Sequence, residues 1–264
     1  MVAKSNELAD DDGQRRYRAP ALERGLDILE LLSTKSKPVS QSRIAVELNR
    51  SSSEVFRMLS CLVDRGYVAR SVSGDGFIMT MKLHRLAANW PLTEILIEAA
   101  VPEMHRLAER AGQSVHLGVY SAGRMVVAAE AQSSHPVGIS VKIASDYSLP
   151  HTASGRVLLT WQPTRLADHW IRESEPSLTP KRKREIDEHL RAIRERGYEF
   201  SSSDIMHGLT DISFPILNTD GYALAALTVP FLEPLKGKKK IETVVGMVRE
   251  SAENIHKNIT DGAL

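Results

Sequence analysis

The sequence predicts an α+β chain in two parts: a small N-terminal unit of three helices closed by a β-hairpin, and a larger C-terminal part in which strands and helices mix. Three observations predict it. Apolar residues recur at helical spacing three times between residues 20 and 66, each time bounded by capping or breaking residues. Two short strand-like runs follow, joined by Ser73-Gly74-Asp75-Gly76. Beyond Pro91, runs of period two alternate with further helical segments. The length of 264 residues suits one large domain or two ordinary ones, and 42% hydrophobic with 25% charged residues is ordinary globular composition.

Residues 1–18 are polar and read as a disordered acidic and basic tail; they have no apolar core and do not form a secretory signal, so the expected location is the cytoplasm. Pro20 opens the first helix, which runs to about Ser33 with Leu22, Leu26 and Leu29 at helical spacing and Ile28 and Leu32 alongside. Ser40 caps a short second helix that turns Ile44, Ala45 and Leu48 inward. Ser51-Ser52-Ser53-Glu54 reads as a capping box for a third helix with Val55, Met58, Leu59 and Leu62 buried, ending at Gly66. Residues 67–70 and 77–80 form the hairpin, so residues 19–80 make a winged helix-turn-helix. A linker helix covers 81–91, and the second domain spans 92–264. It starts with a helix to Gly112 carrying Ile95, Ala99 and Met104. The expected strands are Val115 to Val119, Met125 to Ala129, Val137 to Ile143, Ile212 to Leu217 and Tyr222 to Val229. The expected helices are Ala153–Trp161, Pro163–Ile171, Lys183–Arg196 and Lys239–Ile259.

Charge supports the assignment of the first domain. From Gln14 to Trp90 there are thirteen Lys or Arg against seven Asp or Glu, a balance of +6 in a chain whose net charge is only +1. On the third helix Ser53, Arg57 and Ser60 lie opposite the apolar stripe. The helix start, Ser51, Ser52, Ser53 and Arg57, is therefore the candidate for double-stranded DNA: hydroxyls and amides suit phosphate, and Arg57 can reach a guanine edge. Arg70 on the wing and an arm of Arg15, Arg16 and Arg18 add further contacts. The plain alternative is that the serines only cap the helix and Arg57 is solvated.

Other chemistry finds little support. A single cysteine, Cys61, excludes an internal disulfide and a Cys-rich zinc site, and its place off the buried stripe suggests partial packing. The nine histidines include no H-x-x-x-H or H-E-x-x-H, although His116, His151 and His207 could converge. There is no G-x-S-x-G elbow to make Ser154 a nucleophile, no phosphate-binding glycine loop, and no apolar run long enough for a membrane span. No metal, cofactor, catalytic residue or membrane partner is expected. The basic cluster Lys236 to Lys240 reads as a solvated loop.

Several blocks together resemble the IclR family of bacterial transcription regulators over about residues 18–259. ALERGLDILELL, SSSEVFRMLSCLVDRGYV and GDGFIMTMKLHRLA are similar to its first helix, recognition helix and wing with linker. TASGRVLL, IRERGYEF and GLTDISFPILNTDGYALAALTVP are similar to elements of its second domain. The resemblance implies a GAF-like effector-binding domain, an antiparallel sheet flanked by helices. It implies a homodimer or dimer of dimers on a pseudo-palindromic operator. It also implies a ligand-responsive regulator, a repressor on precedent, of a catabolic operon, with a small organic acid as effector.

By position, the resemblance places Ala153, Ser154, Ser201, Asp211, Thr228 and Pro230 at the effector pocket. Amides at the start of the TASGR helix suit an anion. Asp211 stands where the family has a small residue or cysteine, Ser203-Asp204 where it has an acidic pair, and Arg156 where the turn has a lysine. If Asp211 faces the pocket it disfavours a second anionic group and favours a ligand hydroxyl, as in a hydroxy acid; otherwise it points to solvent or pairs with an arginine. A constitutive architectural DNA-binding protein and a hydrolase with an appended DNA-binding module are the competing readings. The large second domain argues against the former, and the missing nucleophile and metal motifs against the latter.

Overall fold

The computed structural model describes residues 19–72, 74–88, 91–136, 138–233 and 240–261. The chain divides into two compact units between residues 90 and 91. In the first, α1 (Pro20–Ser33) begins with its proline, whose missing N–H is no loss in the first turn. Its buried stripe is Ile28 and Leu32, whereas Leu22 and Leu26 are exposed. With leucines on several faces, helical spacing gave the period of this helix but not its phase.

Helix α2 (Gln41–Glu47) is capped by Ser40, whose hydroxyl accepts the Arg43 N–H at 3.3 Å. Helix α3 (Ser52–Asp64) opens on the expected reciprocal box: the Ser51 N–H donates to Glu54 Oε2 at 3.1 Å and the Glu54 N–H to Ser51 Oγ at 3.3 Å. Val55, Leu59 and Leu62 bury against α1 and α2. The wing is β1 (Val68–Arg70) paired antiparallel with β2 (Phe77–Met79), and Val39 forms a further bridge to Phe77. Helix α4 (Lys82–Ala88) follows. This unit is a winged helix-turn-helix.

The second unit holds α5 (Pro91–Ala111), β3 (Val115–Ser121), β4 (Arg124–Ala131), β5 (Asp146–Ser148), a 3₁₀ turn (Leu149–His151), α6 (Ala153–Thr160), α7 (Thr164–Ser174), α8 (Pro180–Arg196), β6 (Glu199–Ser202), β7 (Leu209–Leu217), β8 (Ala223–Leu232) and α9 (Ile241–Asp261). The strands form one antiparallel sheet in the order β5-β4-β3-β8-β7-β6. One face packs on α5 and α9 through Met104, Leu107, Leu117, Leu227 and Val248. The other packs on α6, α7 and α8 through Met125, Leu158, Ile171 and Ile193. A bulge between Leu117 and Gly118 changes the phase of β4, so Met125 and Val127 join the second core while Ala129 and Ala131 join the first.

One expectation needs correction. Residues 138–143 form no strand, and Val137 lies outside the described residues; the Val141 N–H donates to the Glu130 side chain at 3.1 Å instead of a neighbouring strand. Ile95 is exposed, and the buried stripe of α5 is Leu96, Ala100, Met104, Leu107 and Ala111. The strands β5 and β6, three and four residues long, have polar residues among them and gave no period to detect.

Candidate functional site

Two sites emerge, one in each unit. In the first, the start of α3 is exposed over Ser51, Ser52, Ser53, Phe56 and Arg57. These side chains share a face because residues four apart stack along a helix. A groove of about 560 Å³ is lined by Gln41, Ser52, Ser53, Phe56 and Arg57. Gln41 Nε2 donates to the Ser52 carbonyl at 3.1 Å and to its hydroxyl at 3.2 Å, which fixes α2 against α3. Glu54 is occupied by the capping box and by Arg24 at 3.2 Å; its carboxyl is held below the usual range chiefly by the Ser51 hydrogen bonds. Arg70 lies over the Phe77 ring, 5.1 Å from its centroid. Arg18, with Arg15 and Arg16, lies outside the described residues, as do Lys236 to Lys239. Cys61 is exposed rather than partly packed. Phe56 is exposed on the same face but carries no hydrogen-bonding group, so no polar motif in the sequence points to it.

In the second unit a cavity of about 310 Å³ opens where α6 begins against the sheet. Thr152 stands in extended conformation before the helix and its hydroxyl accepts the Gly155 N–H at 3.1 Å. Two glycines allow the approach. A Cβ on Gly155 would stand 2.1 Å from the Leu149 carbonyl oxygen, and one on Gly118 would stand 3.0 Å from Ser154 Cβ. The N–H groups of Ala153 and Ser154 have no partner within the helix, because they lie in its first turn.

Ala153, Ser154, Asp211, Thr228 and Pro230 all line this cavity, as does His116. Ser201 does not: it pairs with Asp211 across β6 and β7 and shares its face, but its hydroxyl accepts from Arg156 Nη2 at 3.0 Å. His151 and His207 are also absent from the lining, and His151 Nε2 sits 2.7 Å from Glu175 Oε1. Asp211 is 9% exposed, and burial, opposed by a hydrogen bond from Ser203, raises its carboxyl above the ordinary 3.8. The remaining walls are irregular: Ile139 to Lys142 on one side, Ser203, Ile205 and Met206 on another.

His116 is 7% exposed and burial pushes its ring from 6.5 down to about 4, so it is neutral near pH 7. Its Nε2 is 3.0 Å from Ser154 Oγ, which is 2.8 Å from Thr228 Oγ1, itself 2.7 Å from Ser213 Oγ. Nδ1 has no partner among the described residues. The chain uses all three hydroxyl protons only if it runs from Ser213 to Thr228 to Ser154 to Nε2. The opposite direction strands the proton of Ser213, which is fully buried. That assignment puts the ring proton on Nδ1, a buried donor with no partner among the described residues. The hydroxyl of Thr228, a residue expected at the pocket, is already committed on both sides.

Behind α6, Arg156 is held by four acceptors: Glu199 Oε2 at 2.7 Å, the Pro150 carbonyl at 3.2 Å, Asp204 Oδ2 at 2.5 Å and Ser201 Oγ at 3.0 Å. Among the described residues no group of three His, Cys, Asp or Glu is placed to hold a metal ion, and no helix is long and apolar enough to cross a membrane.

A winged helix-turn-helix joined in one chain to a sheet domain with a ligand-sized cavity defines the class of DNA-binding transcription regulators that carry their own sensor. The chain belongs to the IclR family of bacterial transcriptional regulators: the profile "Bacterial transcriptional regulator IclR C-terminal" matches residues 93–257 and "IclR helix-turn-helix domain" matches residues 21–71. The HTH-type transcriptional regulator KdgR of Escherichia coli (strain K12) is 24% identical over 232 residues, covering 86% of this chain and 88% of that protein. The HTH-type transcriptional repressor AllR of Klebsiella pneumoniae is 22% identical over 245 residues, covering 90% and 89%. Among solved structures, an IclR homolog complexed with 4-hydroxybenzoate from Microbacterium hydrocarbonoxydans superposes with a TM-score of 0.75 at 22% identity, over 91% of this chain and 99% of that one. The Thermotoga maritima IclR superposes at 0.66 and 22% identity, over 90% and 98%.

Proposed function

We propose that this regulator is a cytoplasmic repressor of genes for degrading a small carbon compound, and that its signal is a small hydroxy acid bound in the cavity beside His116. The observation that carries the ligand class is the open start of α6 at one end of a cavity that also contains the Asp211 carboxylate. Donors at the helix start suit a carboxylate. Asp211 repels a second anion and accepts from a hydroxyl. The Microbacterium relative was solved with 4-hydroxybenzoate, a molecule with one carboxylate and one hydroxyl, and AllR bears the description repressor.

In this reading the start of α3 enters the major groove, with Ser51, Ser52 and Ser53 on phosphates and Arg57 on a guanine edge. Arg70 on the wing and Arg18 in the arm add backbone and minor-groove contacts, and the protein acts as a homodimer or dimer of dimers. Calorimetry with 4-hydroxybenzoate and benzoate tests the ligand class. The hydroxy acid should bind about tenfold tighter, about 1.4 kcal/mol for a hydrogen bond to a charged group, and Asp211→Ala should abolish the preference. Equal binding of both acids by wild type removes the hydroxy-acid reading. A gel shift on upstream DNA with and without the bound acid tests repression.

One observation favours a hydrolase: Ser154 Oγ and His116 Nε2 lie 3.0 Å apart at a helix start. Three others oppose it. No carboxylate holds His116 Nδ1, a ring at about 4 is a weak base near neutral pH, and Ser154 is also bonded to Thr228. We therefore assign the chain no enzymatic role, and expect a fluorophosphonate probe to leave Ser154 unlabelled.

A further inference from the structure

We propose that Phe56 reads a thymine methyl in the operator, making it a sequence-determining residue beside Arg57. The inference rests on the reading that the start of α3 lies in the major groove. It starts from a side chain that the hydrogen-bonding account of this helix does not use.

Phe56 is 49% exposed although it occupies the second turn of a helix whose neighbouring apolar residues, Val55 and Leu59, are buried. Its ring borders the same groove as Ser52, Ser53 and Arg57. Its position is fixed by the reciprocal capping box one turn earlier and by Gln41, which ties Ser52 to α2. A phenyl group has no hydrogen bond to offer a phosphate, and an exposed ring among serines and an arginine gains nothing in water. In the major groove the C5-methyl of thymine is the apolar feature a base pair presents, and phenylalanine is among the side chains that pack against it. Residues 52 and 53 lie on either side of residue 56 on this face, and residue 57 follows it about 100° further round. The thymine is therefore within a base pair or two of the position contacted by Arg57, since one helix turn advances about 5.4 Å against about 3.4 Å per base step.

The test starts with selection of DNA by the full chain from a randomised duplex library, in parallel with Phe56→Ala and Phe56→Leu. Deoxyuridine then replaces each thymine of the wild-type consensus in turn, which deletes the methyl and leaves every hydrogen bond of the base pair in place. Wild type should lose about fourfold in affinity at one position per recognition helix, the ratio that burial of one carbon group yields. Phe56→Ala should bind thymine and uracil there equally, and Phe56→Leu should keep part of the difference. Circular dichroism confirms that each variant is folded.

If wild type tolerates uracil at every position, or Phe56→Ala still discriminates, the inference is overturned while the placement of α3 stands. If wild type selects no sequence at all, or Arg57→Ala binds its consensus as tightly as wild type, the placement of α3 falls and this inference with it. If Phe56→Ala dissociates an oligomer without altering thymine discrimination, the ring belongs to a contact between copies of the chain, and the inference is again overturned.

Discussion

Glu199→Gln should destabilise the second unit by about 3 kcal/mol at pH 7, and that gap should shrink to about 1 kcal/mol at pH 3. Glu199 is fully buried at the start of β6. Burial alone would raise its carboxyl. The His189 ring, 3.0 Å from Oε2, and the Arg156 guanidinium, 2.7 Å from the same oxygen, outweigh it and hold the group at about 2 instead of 4.5. A carboxyl depressed in the folded state stabilises that state fully above its unfolded value, so the contribution is complete at pH 7. It declines as pH falls from about 4.5 towards 2. Glutamine keeps the volume and loses the charge, which leaves Arg156 with only the half-exposed Asp204 as counter-ion. Urea unfolding followed by the fluorescence of Trp161 and Trp170, both within this unit's second core, measures the gap. A gap that is equal at both pH values, or a Gln variant as stable as wild type at pH 7, refutes the assignment of the charge to this network.

Three further outcomes follow from the geometry. Gly155→Ala places a carbon 2.1 Å from a backbone oxygen that no rotamer change can move; the second unit should lose about 1–3 kcal/mol in urea unfolding together with its affinity for carboxylates. His116 should titrate near 4 in histidine NMR, with its proton on Nδ1 at pH 7. Because its folded value lies below 6.5, stability should be lost as pH falls from 6.5 towards 4, and a midpoint near 6.5 contradicts the burial. Ser51→Ala removes half of the capping box and should cost about 1 kcal/mol, read from faster hydrogen exchange in α3; the Glu54 carboxyl should rise towards its ordinary value.

What the sequence disclosed follows from where the information lies. Capping boxes, stop glycines and Asn218-Thr219-Asp220-Gly221 act locally, so the helices, the β7–β8 hairpin and the wing were legible with boundaries close to those observed. The cavity was legible only through the resemblance to a family, because it joins residues from β3, α6, β7 and β8 whose proximity no local pattern encodes. Ser201 shows the limit of transfer by position. Ser201 shares the face of its strand partner Asp211, yet its hydroxyl is taken by Arg156, and a position in the sequence does not show which neighbour claims a side chain. His116 alternates with Val115 and Leu117, whose spacing marked the strand. The pattern gave no sign that the opposite face is buried as well, and it is this second burial that leaves Nδ1 without water. Residues 138–143 misled for the converse reason: an alternating stretch mimicked a strand, but its backbone is satisfied in part by a side chain.

The buried and irregular walls of the cavity divide the work of sensing. Every residue of α6 is buried, and the helix is tied on one side by the Ser154–Thr228–Ser213 hydroxyls and on the other by the four acceptors of Arg156. Displacing it would break both sets at once, at a cost several times that of a single hydrogen bond. The segments Ile139 to Lys142 and Ser203 to Met206 are held at separate points, among them the Val141 N–H by Glu130 and Asp204 by Arg156, and Ile205 and Met206 are exposed. A ligand that fills the cavity therefore meets a fixed polar end at α6 and more exposed walls opposite. Asp204, at the root of one wall, is bonded to Arg156, so that wall is anchored to the same arginine that holds the rigid end in place.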